Sequence, residues 1–201
     1  MNKKYEFVEG DTKLHFGKTL RRIRALVAIG SLVTAGDLGG YIESEKNLSV
    51  YGNAWVSGNA WVYDNAVVSG DARVSGDARV SGDAWVYGNA VVYDNAVVSD
   101  NAVVFGDARV YGNAVVFGDA WVSGNAWVEK RKHIFWATNV GTENGTLTVY
   151  KAKDGLLVTR GCFIGTPEEF LAKSEKVHDG DTHWEYRLLL AVAENRINKG
   201  E

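Results

Sequence analysis

Residues 51–128 repeat six residues thirteen times without an insertion. The frame is Ser/Tyr/Phe, Gly/Asp, Asn/Asp, Ala, any residue, Val. A strict short period decides the architecture before any other signal, because each unit must bury its apolar face against a neighbour. Ala and Val stand two places apart, so both point to one side of an extended strand. The residue between them and the residue after Val point the other way. The two small polar places tolerate left-handed backbone at a corner. Each hexad is therefore one short strand plus one corner, and the hexads stack as parallel strands about 4.8 Å apart.

The charges fit three hexads per coil, which places residues 18 apart over one another. Asp71, Asp77, Asp83, Asp107 and Asp119 occupy the third place, and none stacks on another Asp at this place. Asn53 and Asn89 flank Asp71, Asn59 and Asn95 flank Asp77, and Asn65 and Asn101 flank Asp83. Stacked carboxylates would repel by roughly 1 kcal/mol or more, whereas Asn side chains hydrogen-bond along a ladder.

Three segments follow: an N-terminal β cap at 1–40, a β-helix at 41–128 and an α+β domain at 129–201. In the first, Tyr5, Phe7, Gly10-Asp11, Leu14 and Phe16 predict a short hairpin, and residues 20–29 a strand. The degenerate hexad Glu45-Lys46-Asn47-Leu48-Ser49-Val50 keeps the frame, with Ile42 where an earlier Ala would stand. After Glu129, residues 133–138, 146–150 and 156–163 predict strands, with hairpin turns at Asn144-Gly145 and Asp154-Gly155. Thr166-Pro167-Glu168-Glu169 and Thr182-His183-Trp184-Glu185 predict capping boxes of two helices, joined by a loop at 178–181. Residues 198–201 are expected to fray.

The frame Val-x-Gly-Asn-Ala-x resembles the hexapeptide repeat of left-handed parallel β-helix proteins, and the resemblance implies their left hand. A more specific likeness covers roughly residues 20–128 and includes Ala35-Gly36-Asp37-Leu38-Gly39-Gly40-Tyr41-Ile42-Glu43. It is to bacterial and phage-encoded hexapeptide-repeat proteins of the polymer-forming type, whose function is uncharacterised. The C-terminal segment resembles accessory domains of phage proteins.

Outward residues flank each Val and sort into three faces. The first carries Trp55, Arg73, Val91, Tyr93, Arg109, Tyr111 and Trp127. The second carries Trp61, Tyr63, Arg79, Val97, Val115 and Phe117, and the third Val67, Trp85, Tyr87, Val103, Phe105, Trp121 and Ser123. Broad apolar surface of this kind marks interfaces. Trp61, Tyr63, Trp85, Tyr87, Phe105, Phe117 and Trp121 are the candidate interface residues of a homo-oligomer, most simply a dimer or trimer. Arg73, Arg79 and Arg109 each follow an Asp by two places, which predicts local ion pairs. Alternatively, the three guanidiniums are candidate anion-binding groups for a nucleotide between subunits.

The chain carries a formal net charge of −3. With no basic stripe and no long apolar run, neither nucleic-acid nor membrane binding is expected. Lys3, Lys4, Glu6 and Glu9 break any signal-peptide pattern. Cys162, the sole cysteine, makes a reducing cytoplasm the default, that of the bacterial host if the chain is phage-encoded. It lies in an apolar stretch and is expected to be buried and inert. Many hexapeptide β-helix enzymes are acyltransferases with a catalytic His, and a related branch are carbonic anhydrases with three His on zinc. Here residues 45–128 hold no His, no Cys and no inserted loop. His15, His133, His178 and His183 all lie outside them, and 178–183 read as a solvated loop rather than a metal site. Ice binding would call for rows of Thr, and residues 51–128 contain none. The expectation is a non-enzymatic, self-associating module without metal or cofactor, structural or protein-binding. Alternatives are a phage inhibitor of a host defence protein or its nucleotide signal, and an acyltransferase-like enzyme.

Overall fold

The hexads form a parallel β-solenoid of about five turns in a computed structural model that describes residues 3–199. Thirteen two-residue strands, β4–β16 in chain order, recur every six residues, from β4 (Trp55–Val56) to β16 (Trp127–Val128). Paired residues stand 18 apart, as in Val91 with Arg109 and Val103 with Trp121. Every fourth-place Ala and sixth-place Val of the repeat is fully buried. Burial of a Val side chain contributes about 1.5–3 kcal/mol relative to exposure, so the coil axis carries most of the apolar stabilisation.

The second place makes the corner. All thirteen residues there have positive φ, ten Gly and the three Asp at 64, 94 and 100. The close approach of coils explains the preference for Gly: a Cβ on Gly76 would lie 2.8 Å from the Asp94 backbone nitrogen. Where Asp replaces Gly it gains a bond in return. Asp64, Asp94 and Asp100 accept from the N–H of Gly82, Gly112 and Gly118 in the next coil, at 3.2, 3.4 and 3.2 Å. The third place holds the expected ladder. Asn53, Asn65, Asn89 and Asn101 donate to Asp71, Asp83, Asp107 and Asp119 at 2.8–3.0 Å.

The N-terminal segment differs from the expected short hairpin. β1 (Tyr5–His15) is one strand, and Gly10-Asp11 makes a bulge in it rather than a turn. The bulge turns Asp11 onto Arg22 and the Tyr41 hydroxyl, at 2.9 and 3.0 Å. The turn lies at Phe16-Gly17, both at positive φ, and leads into β2 (Lys18–Ala25). β3 (Leu38–Ile42) pairs antiparallel with β2 and parallel with Trp61–Val62, which joins the cap to the coil. The hexad at 45–50 is out of frame. Leu48 pairs with Val68 and Ile42 with Val62, 20 residues apart, so both fill Val places. Their side chains are too large for the Ala corner, and a 3-10 turn at Glu45–Asn47 takes up the extra length.

Beyond the coil lies an antiparallel sheet of β17 (Ile134–Val140), β18 (Gly145–Ala152), β19 (Gly155–Arg160) and β20 (Phe163–Gly165), in that order. The expected single strand at 156–163 is broken by a turn at Gly161-Cys162, with Gly161 at positive φ. Cys162 is therefore exposed, contrary to expectation. Thr166 and Glu169 form the predicted capping box of α1 (Pro167–Val177). α2 (Gly180–Asn198) begins earlier than expected, because Asp179 rather than Thr182 is its cap and accepts from the Thr182 N–H at 2.8 Å. It remains helical to Asn198, and Gly200 and Glu201, where fraying was also expected, lie outside the described residues. A second core of Val140, Leu147, Val149, Val158, Phe170, Tyr186, Leu190 and Ile197 holds the helices on the sheet.

Candidate functional site

The fold sorts the outward residues as the 18-residue register requires, but the end domains cover the three faces unequally. On the first, Trp55 is buried beside Gly39 of the N-terminal segment, and of its aromatic residues only Trp127 at the far end is exposed. Tyr93 and Tyr111 stack between coils at 5.0 Å. On the second, the His15 ring lies against Trp61 and Tyr63 at 4.9 and 5.3 Å. Phe117 of that face meets Trp136 of β17 edge-on at 4.3 Å.

The third face stays open from Val67 to the Trp121 ring, and only its far end is covered, where Ser123 is buried under Tyr150. Its upper row is Val67, Trp85, Val103 and Trp121, a row without a charge. Trp85 and Trp121 are 55% and 44% exposed. Tyr87 and Phe105 stack almost parallel at 5.1 Å, and Phe105 meets Trp121 edge-on at 6.3 Å. Each ring is carried by a strand whose inward neighbour is a fully buried Val, so the backbone beneath this aromatic ladder is held rigidly. Of the seven expected interface residues, the structure brings together Trp85, Tyr87, Phe105 and Trp121, and it engages Trp61, Tyr63 and Phe117 with the end domains.

The three arginines do not converge. Arg73 and Arg109 stand on the first face, separated by Val91, and Arg79 on the second. The predicted ion pairs with Asp71, Asp77 and Asp107 do not form among the described residues. Arg79 lies instead over the Trp61 ring at 4.7 Å. The corner between the third and fifth places turns Asp71 and Asp107 toward their stacked Asn53 and Asn89, away from the strands that carry Arg73 and Arg109.

The coil ends are closed by side chains. At the start, Lys4 is buried and its Nζ donates to the Ala54 and Ser49 carbonyls at 2.6 and 3.2 Å. The Tyr5 hydroxyl donates to the Leu48 carbonyl at 3.1 Å. Desolvation lowers the Lys4 ammonium to about 8 and raises the Tyr5 phenol to about 12. At the far end, the Trp121 N–H donates to the Thr148 hydroxyl at 3.1 Å, and the Ser123 N–H to the Tyr150 hydroxyl at 3.2 Å. Thr159 donates to the Trp121 carbonyl at 2.7 Å. The Glu129 N–H meets His133 Nδ1 at 3.3 Å, and burial holds that imidazole below its ordinary range, in the neutral form that can accept.

A cleft of about 260 Å³ lies in the C-terminal domain between the β19–β20 turn and the helices. Arg160, Cys162, Lys173 and His178 stand at it beside Phe163 and Tyr186. No spacing in the sequence signals it, since its walls come from four separate elements. His183 Nδ1 lies 3.3 Å from the Ser174 hydroxyl, and His178 rests on the Tyr186 ring. Among the described residues, no three or more His, Cys, Asp or Glu side chains are grouped to hold a metal ion, and no helix is long and apolar enough to cross a membrane.

The family model described as the YdcK beta solenoid repeat matches residues 50–64, 72–88, 84–100 and 108–124. Every matched stretch lies within or at the first residue of the stacked coils. No curated protein matches the chain. The period, the stacking register and the matched repeats agree, and the chain is a hexapeptide-repeat β-solenoid protein whose coil is similar to the YdcK repeat.

Proposed function

We propose that this protein is a non-enzymatic, self-associating module that works by presenting the third solenoid face to another protein. The observation that carries the reading is the uncharged aromatic ladder of Trp85, Tyr87, Phe105 and Trp121, exposed at both Trp and fixed from beneath by the coil. Rigid aromatic side chains on a fixed scaffold bind with little loss of conformational entropy, and Trp and Tyr dominate protein interfaces. The first and second faces carry Arg and are partly covered by the end domains, so they offer less apolar area.

The test is site-specific photocrosslinking in the organism that makes the protein. A photoreactive phenylalanine derivative at position 85 is expected to give one discrete adduct, and Trp121→Lys is expected to abolish it. The same probe at Asn59, on a corner, should give none. A smear at position 85, no adduct, or an adduct unaffected by Trp121→Lys would overturn the assignment of this face.

A further inference from the structure

One side of α2 belongs to the second core, where Tyr186, Leu190, Ala193 and Ile197 are buried. The opposite side is apolar as well. Trp184, Leu188 and Val192, at i, i+4 and i+8, are 55%, 51% and 48% exposed, with exposed Ala191 beside them. A helix that already packs on one side is expected to be polar on the other. This stripe runs about 12 Å along the axis, from the rise of about 1.5 Å per residue. Its ends are charged with opposite sign. Asp181 stands at the N-terminal end and Arg196 at the C-terminal end, both exposed, and neither forms an ion pair among the described residues. Arg187 lies over the Trp184 ring at the edge of the stripe, at 5.2 Å.

We propose that a second copy of this chain docks here, α2 against α2, antiparallel about a two-fold axis through Leu188. The charge pattern selects this occupant. In the antiparallel pair Leu188 meets its own counterpart, Trp184 covers Val192 of the second copy, and Asp181 faces Arg196 of the second copy, twice over. A parallel pair would set Asp181 on Asp181 and Arg196 on Arg196. The antiparallel arrangement also opposes the two helix dipoles, and it makes the contact isologous and closed. One helix stripe is smaller than the ~800 Å² per partner of a standard interface, so the dimer is expected to be of micromolar strength. This inference rests on the self-associating reading above and moves the contact from the solenoid faces to α2.

The test is light scattering of the full chain across the micromolar range. The mass is expected to move from one chain toward two as concentration rises. Leu188→Glu with Val192→Glu should hold it at one chain with an unchanged melting temperature, because both side chains are exposed. Asp181→Arg alone and Arg196→Asp alone should each raise the dissociation constant about tenfold, and the double charge swap should restore it. Trp85→Lys with Trp121→Lys should leave the dimer intact. A wild-type chain that stays single at every concentration overturns both self-association and this seam. A dimer that survives the α2 variants but is lost in the Trp85/Trp121 variant overturns the seam and leaves self-association standing. Single charge variants that weaken the dimer without recovery in the double swap overturn the antiparallel register, and with it the proposal.

Discussion

The two ends of the coil are closed by opposite chemistry. The starting end is met by donors: the Lys4 ammonium and the Tyr5 hydroxyl reach the carbonyls of Ala54, Ser49 and Leu48. The far end is met mainly by acceptors: the hydroxyls of Thr148 and Tyr150 and the imidazole of His133 take the N–H groups of Trp121, Ser123 and Glu129. The difference follows from the polarity of a parallel coil. Within the stack, the outward N–H of each coil donates to a carbonyl of the next, as Val103 does to Ala120 and Phe105 to Val122. The first coil is therefore left with carbonyls that nothing precedes, and the last with N–H groups that nothing follows. Each cap answers the polarity of its own end. An open end would instead be a template for pairing with other chains.

The far end should be the easier to break. Thr148→Val with Thr159→Val keeps shape but strands the Trp121 N–H and carbonyl, both under buried cover. At about 1–3 kcal/mol for each unsatisfied buried group, the double variant is expected to lose about 3 kcal/mol in denaturant unfolding. Replacement of both by Ser, which keeps the hydroxyls, should cost only about 1.6 kcal/mol, from two lost methyls at ~0.8 kcal/mol each. Equal losses in the two variants would mean that packing, not hydrogen bonding, closes this end.

At the starting end, Lys4→Met retains the apolar stem and removes the donor from two carbonyls. A loss of about 2 kcal/mol is expected, smaller than at the far end because the variant also removes a desolvated charge. A more stable variant would show that burial of the ammonium outweighs its bonds.

The ends should also separate by pH. Lys4 titrates at about 8 in the fold against 10.5 ordinarily. Between these values the unfolded chain binds more protons, so stability rises with pH. The neutral amine still has two N–H bonds for its two carbonyls. Tyr5 acts in the reverse sense: its pKa is raised from 10.0 to about 12, so its contribution is present below 10 and lost as pH climbs toward 12. Stability is expected to gain about 2 kcal/mol from pH 8 to 10 and to turn down above 10. Lys4→Met should flatten the rise, and a rise that persists in that variant would assign it to another group.

Much of the coil is legible in the sequence. Ala and Val two places apart gave the inward side, small polar pairs gave the corners, and the 18-residue spacing placed Asn beside Asp. The errors lie where partners are distant in the chain. Leu48 kept the written frame but takes a Val place, because only side-chain volume decides which slot accepts it. Cys162 sits in an apolar stretch, yet Gly161 turns the chain there and leaves it exposed. Thr182 matched a capping box, but Asp179 lies earlier and takes the cap bond. Of the seven aromatic residues proposed for an interface, spacing could sort them into faces but could not say that His15 and Trp136 would reach three of them.

The six-residue period by itself determined the parallel coil, its buried Ala and Val, its left-handed corners and the three rows of outward side chains. These depend only on contacts between neighbouring hexads, and every hexad carries the same instruction. Which aromatic row stays in solvent, how each coil end meets its donors or acceptors, and which side of α2 is left apolar and uncovered were decided by tertiary structure alone. Those outcomes depend on segments far apart in sequence, such as Lys4 on Ala54 and Thr159 on Trp121, and no local pattern encodes which residue will cover another.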